Sequence, residues 1–69
     1  MALRFSPDDL RDARCERGIT KSALARQLET AWASVHSYER GQATPTMARL
    51  CQLADILDVP VSRFFRDDA

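Results

Sequence analysis

The chain has one histidine, one lysine, two cysteines, two glycines and no net charge in 69 residues. Each scarcity closes a route. With a single histidine, His36, no second base of its type is available, and no serine or cysteine has a recognisable base and orienting acid around it. The chain is therefore read as a non-enzyme with no cofactor. Cys15 and Cys51 lack the paired spacing of a zinc site and are too few for a disulfide scaffold. They fall on separate predicted helices while His36 falls on an outward stripe, so no metal site is expected. There is no secretory signal, and no apolar run approaches the roughly 18 residues that a membrane span needs. These features predict a cytoplasmic protein with reduced thiols and no membrane contact. The balanced charge conceals a pattern. Between residues 18 and 50 lie Lys21, Arg26, Arg40 and Arg49 against Glu29 and Glu39. Asp8, Asp9 and Asp12 precede that stretch, and Asp55, Asp58, Asp67 and Asp68 follow it. A mildly basic middle between acidic ends provides a modest steering field at best.

What is present is organised around residues 20–41. Two short amphipathic segments are joined there by a break of a few residues. Ala23, Leu24 and Leu28 mark the apolar face of the first, and Ala25 lets another backbone come close. Val35 and Tyr38, spaced i, i+3, face inward from the second. Its opposite face carries Trp32, Ala33, His36, Ser37 and Arg40, whose spacing forms one helical stripe. Two helices that share a core at a steep angle, one presenting a mixed outer stripe, form a helix-turn-helix unit. Its second helix is sized for the major groove of DNA.

The ordered set Leu10, Arg14, Gly18, Leu24, Ala25, Leu28, Val35, Tyr38-Glu39-Arg40-Gly41, Pro45, Leu50, Leu53, Ala54, Leu57, Val59, Phe64 and Phe65 resembles the Cro and phage-repressor type of helix-turn-helix domain, the xenobiotic-response-element family. The resemblance covers residues 8–65 or so. It implies an all-α, lambda-repressor-like fold, a compact bundle of five helices, and the length of 69 residues makes this a single domain over residues 1–69. A domain this small has an expected margin of only a few kcal/mol.

Along the chain, residues 1–5 read as a loose arm. Ser6 caps the first helix, Pro7 takes its first position, and Asp8 and Asp9 sit at the positive end of the helix dipole. Gly18 stops it. Thr20 caps the second helix, which ends near Leu28. Glu29 stands where the family usually has glycine, so a non-glycine residue must take a strained or altered turn at roughly 1 kcal/mol. The family prefers serine or threonine at Ala31, and Thr30 is expected to cap the third helix one residue early. Thr46 caps a fourth helix with Met47, Leu50, Cys51, Ala54 and Leu57 inward and Leu53 and Ile56 flanking. Asp58 occupies another position where the family often has glycine. A fifth helix is expected over residues 61–65, then a polar tail.

The resemblance also assigns roles. Arg14 and Glu39 pair across the core, locking the third helix to the scaffold. Trp32, Ala33, His36 and Ser37 occupy the positions that touch base edges: alanine meets a thymine methyl, serine donates or accepts, and histidine bonds a purine edge or a phosphate. Trp32 departs from the polar residue usual there. It has three readings: an apolar reader in the groove, an anchor for a protein partner, or a ring folded onto the second helix. Thr20, Lys21 and Ser22 open the second helix as a phosphate clamp, and Arg40, Gln42 and Thr44 meet a neighbouring phosphate. Arg26 and Arg49 read equally well as solvated charges. Phe64 and Phe65 cannot both be buried on one side of so small a core. One seals the bundle, and the other joins Val61 in a homodimer patch.

The expected function is sequence-specific binding of double-stranded DNA as a bacterial or phage transcriptional regulator, with repression favoured. The partner would be an operator with an inverted repeat, bound by a homodimer. A second reading is a protein-interaction module, antitoxin-like or anti-repressor-like, that keeps the fold and binds DNA weakly or not at all. A third makes the chain the DNA-binding fragment of a longer regulator.

Overall fold

The computed structural model describes residues 2–68; Met1 and Ala69, the outer ends of the expected arm and tail, lie outside the described residues. The elements in order are strand β1 (Ala2–Phe5), helices α1 (Pro7–Glu16), α2 (Lys21–Leu28), α3 (Trp32–Arg40) and α4 (Met47–Leu57), a 3₁₀ turn (Val61–Phe64) and strand β2 (Phe65–Asp68).

Local chemistry explains where the helices start. The Asp9 N–H donates to Ser6 Oγ at 3.2 Å, the Ala23 N–H to Thr20 Oγ1 at 3.1 Å, and the Arg49 N–H to Thr46 Oγ1 at 3.2 Å. Each bond satisfies an amide that the first helical turn leaves without a partner. Helix α3 differs. Its cap is Ala31, which has no side-chain bond to offer. The expected cap from Thr30 does not form: the cap position falls to Ala31, and the Thr30 N–H donates to the Ala25 carbonyl at 2.9 Å, closing α2.

All four α-helices end in the same way. A residue at positive φ turns the chain, and the next N–H reaches back to a carbonyl five residues earlier. The turning residues are Gly18, Glu29, Gly41 and Asp58, at φ of +68°, +57°, +75° and +56°. The bonds are Ile19 to Arg14 at 3.2 Å, Thr30 to Ala25 at 2.9 Å, Gln42 to Ser37 at 3.0 Å and Val59 to Ala54 at 3.0 Å. Glu29 and Asp58 thus adopt the left-handed turn without glycine. An L-residue carries a local cost there that the surrounding packing must offset.

The core is a continuous apolar cluster. Leu10 and Ala13 come from α1, Leu24, Ala25 and Leu28 from α2, Val35 from α3, Leu50, Leu53, Ala54 and Leu57 from α4, and Phe64 from the 3₁₀ turn. On α4 the buried positions follow i, i+3, i+4, i+7 from Leu50. Leu53, expected at the flank, is fully buried. Cys51 falls one step off that stripe and is exposed, contrary to its expected place in the core. Met47, also expected inward, is 60% exposed.

Two corrections concern the chain ends. The bundle has four α-helices and a two-stranded sheet in place of five helices. Residues 61–64 wind as 3₁₀, and Phe65 is already extended at φ −118° and ψ 142°. The expected loose arm and polar tail pair as antiparallel strands, with Leu3 opposite Asp67, Arg4 opposite Arg66 and Phe5 opposite Phe65. The Ser6 N–H donates to the Phe64 carbonyl at 2.7 Å and fixes the register at the root of the ribbon. Arg66 then reaches α1, where Nε and Nη2 meet the two Asp9 carboxylate oxygens at 2.9 and 2.8 Å.

Candidate nucleic-acid interface

Helix α3 has two different faces. Inward, Val35 is fully buried and Glu39 is 6% exposed. Arg14 of α1 meets Glu39 as a fork: Nε donates to Oε2 at 2.6 Å and Nη2 to Oε1 at 3.0 Å. Its remaining nitrogen, Nη1, donates to the Ile19 carbonyl at 2.8 Å in the turn before α2. One guanidinium thus joins α1, the α1–α2 turn and the C-terminal end of α3. The Glu39 carboxylate holds the Arg14 pKa above its already high ordinary value, so the guanidinium stays charged.

Outward, the stripe proposed from the sequence stands clear of the core. Trp32, Ala33 and Arg40 are exposed, and His36 and Ser37 are half-buried. The Ser37 carbonyl accepts the N–H groups of both Gln42 and Ala43, at 3.0 and 3.3 Å, which folds the following loop back along α3. Arg40, Gln42 and Thr44 are all exposed on or after this turn. Thr44 and Gly41 also border an open cleft of about 530 Å³ together with Arg4, Phe5, Pro7 and Arg66.

The first turn of α2 meets the first turn of α3 in a three-residue cluster. The rings of Trp32 and His36, one helical turn apart, stack with centroids 4.6 Å apart and planes 13° from parallel. The Lys21 ammonium lies 5.8 Å from the Trp32 ring centroid and 3.1 Å from His36 Nδ1. Trp32 is nonetheless 49% exposed. It therefore packs within its own chain and still presents half of its surface outward. Thr20, the cap of α2, and Ser22 are exposed beside Lys21.

The sequence missed three arginine contacts. Arg49 Nη1 donates to the Leu28 carbonyl at 2.9 Å, closing the C-terminal end of α2 from α4, so Arg49 has a structural task. Arg63 Nη2 meets Glu16 Oε2 at 2.6 Å, and Arg66 holds Asp9 as described. Only the tertiary fold brings these groups together, and no local pattern announces them. Of the residues assigned to a dimer patch, Phe64 is fully buried in its own chain. It is the phenylalanine that seals the bundle, and any dimer contact is left to Val61 and Phe65, both half-buried. Among the described residues no group of three or more histidine, cysteine, aspartate or glutamate side chains is arranged to hold a metal ion. No helix there is long and apolar enough to cross a membrane.

The model of the Helix-turn-helix family matches residues 10–64. The chain belongs to that family, in its Cro and phage-repressor branch. Three similar proteins illustrate the likeness. A protein of Aeropyrum pernix named for HTH-type transcriptional regulation is 38% identical over 55 residues, which are 80% of this chain and 17% of that one. This chain therefore spans about a sixth of that relative's length. The restriction-modification controller protein C.AhdI of Aeromonas hydrophila superposes with a TM-score of 0.80 at 27% identity, over 86% of this chain and 89% of that chain. SinR, a master regulator for biofilm formation solved in complex with DNA, gives a TM-score of 0.76 at 29% identity, over 83% and 95%.

Proposed function

We propose that this helix-turn-helix chain is a sequence-specific double-stranded DNA-binding regulator, acting most naturally as a repressor, with α3 in the major groove. The observation that carries the reading is the division of α3. Val35 and Glu39 are fixed inward, while on the outer stripe Trp32, Ala33 and Arg40 are exposed and His36 and Ser37 half-buried, and the major groove admits one α-helix. The likeness to SinR, solved in complex with DNA, supports it.

In this reading Ala33 meets a thymine methyl, and Ser37 and His36 contact base edges. Trp32 lies against sugars and methyls at the edge of the stripe. Thr20, Lys21 and Ser22 at the start of α2 hold one phosphate, and Arg40, Gln42 and Thr44 after α3 hold another. These contacts fix register but carry no sequence information. A homodimer, meeting through Val61 and Phe65, places two copies of α3 in successive major grooves of an inverted repeat. The chain has no metal or cofactor in this scheme.

The test is selection of bound duplexes from a random pool at moderate salt. An inverted repeat with half-sites about 10 base pairs apart is expected. Substitutions at Ala33, His36 and Ser37 should then change the selected bases. Salt-sensitive retention without enrichment reduces the protein to a phosphate binder. No retention by a folded sample overturns the reading and favours a protein partner docked at Trp32.

A further inference from the structure

The Lys21–Trp32–His36 cluster does more than decorate the outer stripe. A lysine ammonium has three donors and no acceptor. At 3.1 Å from Lys21 Nζ, His36 Nδ1 must therefore be the acceptor. A neutral imidazole carries one proton, so the proton is on Nε2. Trp32 constrains the same ring differently. Stacked at 4.6 Å and 13° from parallel, it limits rotation of the imidazole plane. The ammonium, 5.8 Å from the Trp32 centroid, lies within range of the negative face of that ring. In the neutral ring, the contact with Lys21 sets the tautomer and the stack with Trp32 sets the plane.

We propose that Lys21 is a positioning residue which fixes His36 as an Nε2–H donor, so that His36 selects a base edge bearing an acceptor, guanine before any other. The proposal rests on the reading that the outer stripe of α3 enters the major groove. In that groove guanine presents two acceptors, N7 and O6, adenine one acceptor beside a donor, thymine one acceptor beside its methyl group, and cytosine only a donor. An imidazole whose Nδ1 is already engaged by Lys21 has no acceptor left for the amino groups of cytosine or adenine. The cluster thus confers selectivity by what it withholds as well as by what it offers.

Two measurements on the intact chain test this. The chain has one histidine, so its ring nitrogens are read without ambiguity by long-range proton–nitrogen correlation. At a pH well above the ordinary histidine range, the wild type should show the Nε2–H form, with the Nδ1 resonance displaced by a bonded donor. Lys21→Met should abolish that displacement and Lys21→Arg should restore it. In the duplex selection, guanine should dominate the position that responds to His36→Ala. Lys21→Met should lower the guanine preference at that position by roughly fivefold, and Lys21→Arg should retain it. A pure phosphate contact would weaken all sequences alike and leave that ratio unchanged. An Nδ1–H ring, a cytosine preference, or a Lys21→Met variant with unaltered resonance and ratio overturns the proposal. Failure of the folded wild type to enrich any sequence overturns it through the DNA reading. The ring spectrum then still reports whether Lys21 holds His36, which separates the two failures.

Discussion

The two faces of α3 are secured in different ways. On the inner face a two-point ion pair, with Arg14 and Glu39 side chains 12% and 2% exposed, anchors the helix to α1. On the outer face a stacked pair and one lysine organise each other while half of Trp32 stays open to solvent. The inner arrangement tolerates little change, because removing one partner strands a buried charge. The outer residues Trp32 and His36 lie off the apolar cluster, so substitutions there should leave the core intact.

The inner face should be the more fragile of the two. Glu39→Gln leaves the Arg14 fork without its counter-charge and should cost about 3–5 kcal/mol. For a domain with a margin of only a few kcal/mol, urea denaturation should find the variant largely unfolded in buffer. Replacing both partners by apolar residues should recover much of the loss, since no buried charge is then stranded. A loss below about 1 kcal/mol for Glu39→Gln would mean that the pair is not the anchor.

An intermediate effect sharpens the contrast where the two faces begin. Helix α3 starts at Ala31 with no side-chain cap, whereas α1, α2 and α4 each have one. Ala31→Ser should add about 1 kcal/mol of stability by thermal or urea unfolding. No gain, with the fold intact, would show that the α2–α3 turn already satisfies those amides.

The smallest effect sets the buried pair against an exposed one. The Arg66 guanidinium bonded to Asp9 holds that carboxyl below its ordinary value of about 3.8. A carboxyl whose folded pKa is depressed contributes stability that is complete above the unfolded value and disappears as pH falls through the folded value. Thermal midpoints should therefore fall with acid below about pH 4, and Asp9→Asn should flatten that limb. An unchanged acid limb in Asp9→Asn would assign the loss to other carboxylates.

The local parts of the fold were legible. Ser6, Thr20 and Thr46 announce helix starts because a cap acts within three residues. The turn at Glu29 was marked only through the family resemblance, as a strained or altered turn, and its φ of +57° shows that the left-handed form is kept. The sheet was hidden: residues 2–5 and 65–68 meet from opposite ends of the chain, are four residues each, and carry no hairpin signal. Cys51 shows the limit of apolar counting, because one step of 100° takes a small hydrophobe from the core to the surface. At the candidate interface, the outer stripe followed from helical spacing. The coupling of Lys21 to Trp32 and His36 did not, because it depends on how two helices cross. Arg14 and Glu39 were assigned through family resemblance, and their fork geometry is visible only in the folded chain.

If the outer stripe of α3, and not some other surface, meets DNA, its aromatic ring must be covered in the complex. The chain has one tryptophan, and it sits on that stripe. The decisive measurement is the accessibility of Trp32 to a neutral quencher such as acrylamide, followed as the selected duplex is added while binding is monitored by anisotropy. Quenching should fall in step with complex formation and reach a plateau at saturation. A saturated complex in which Trp32 remains as accessible as in the free protein would place the DNA elsewhere and contradict contact through that stripe.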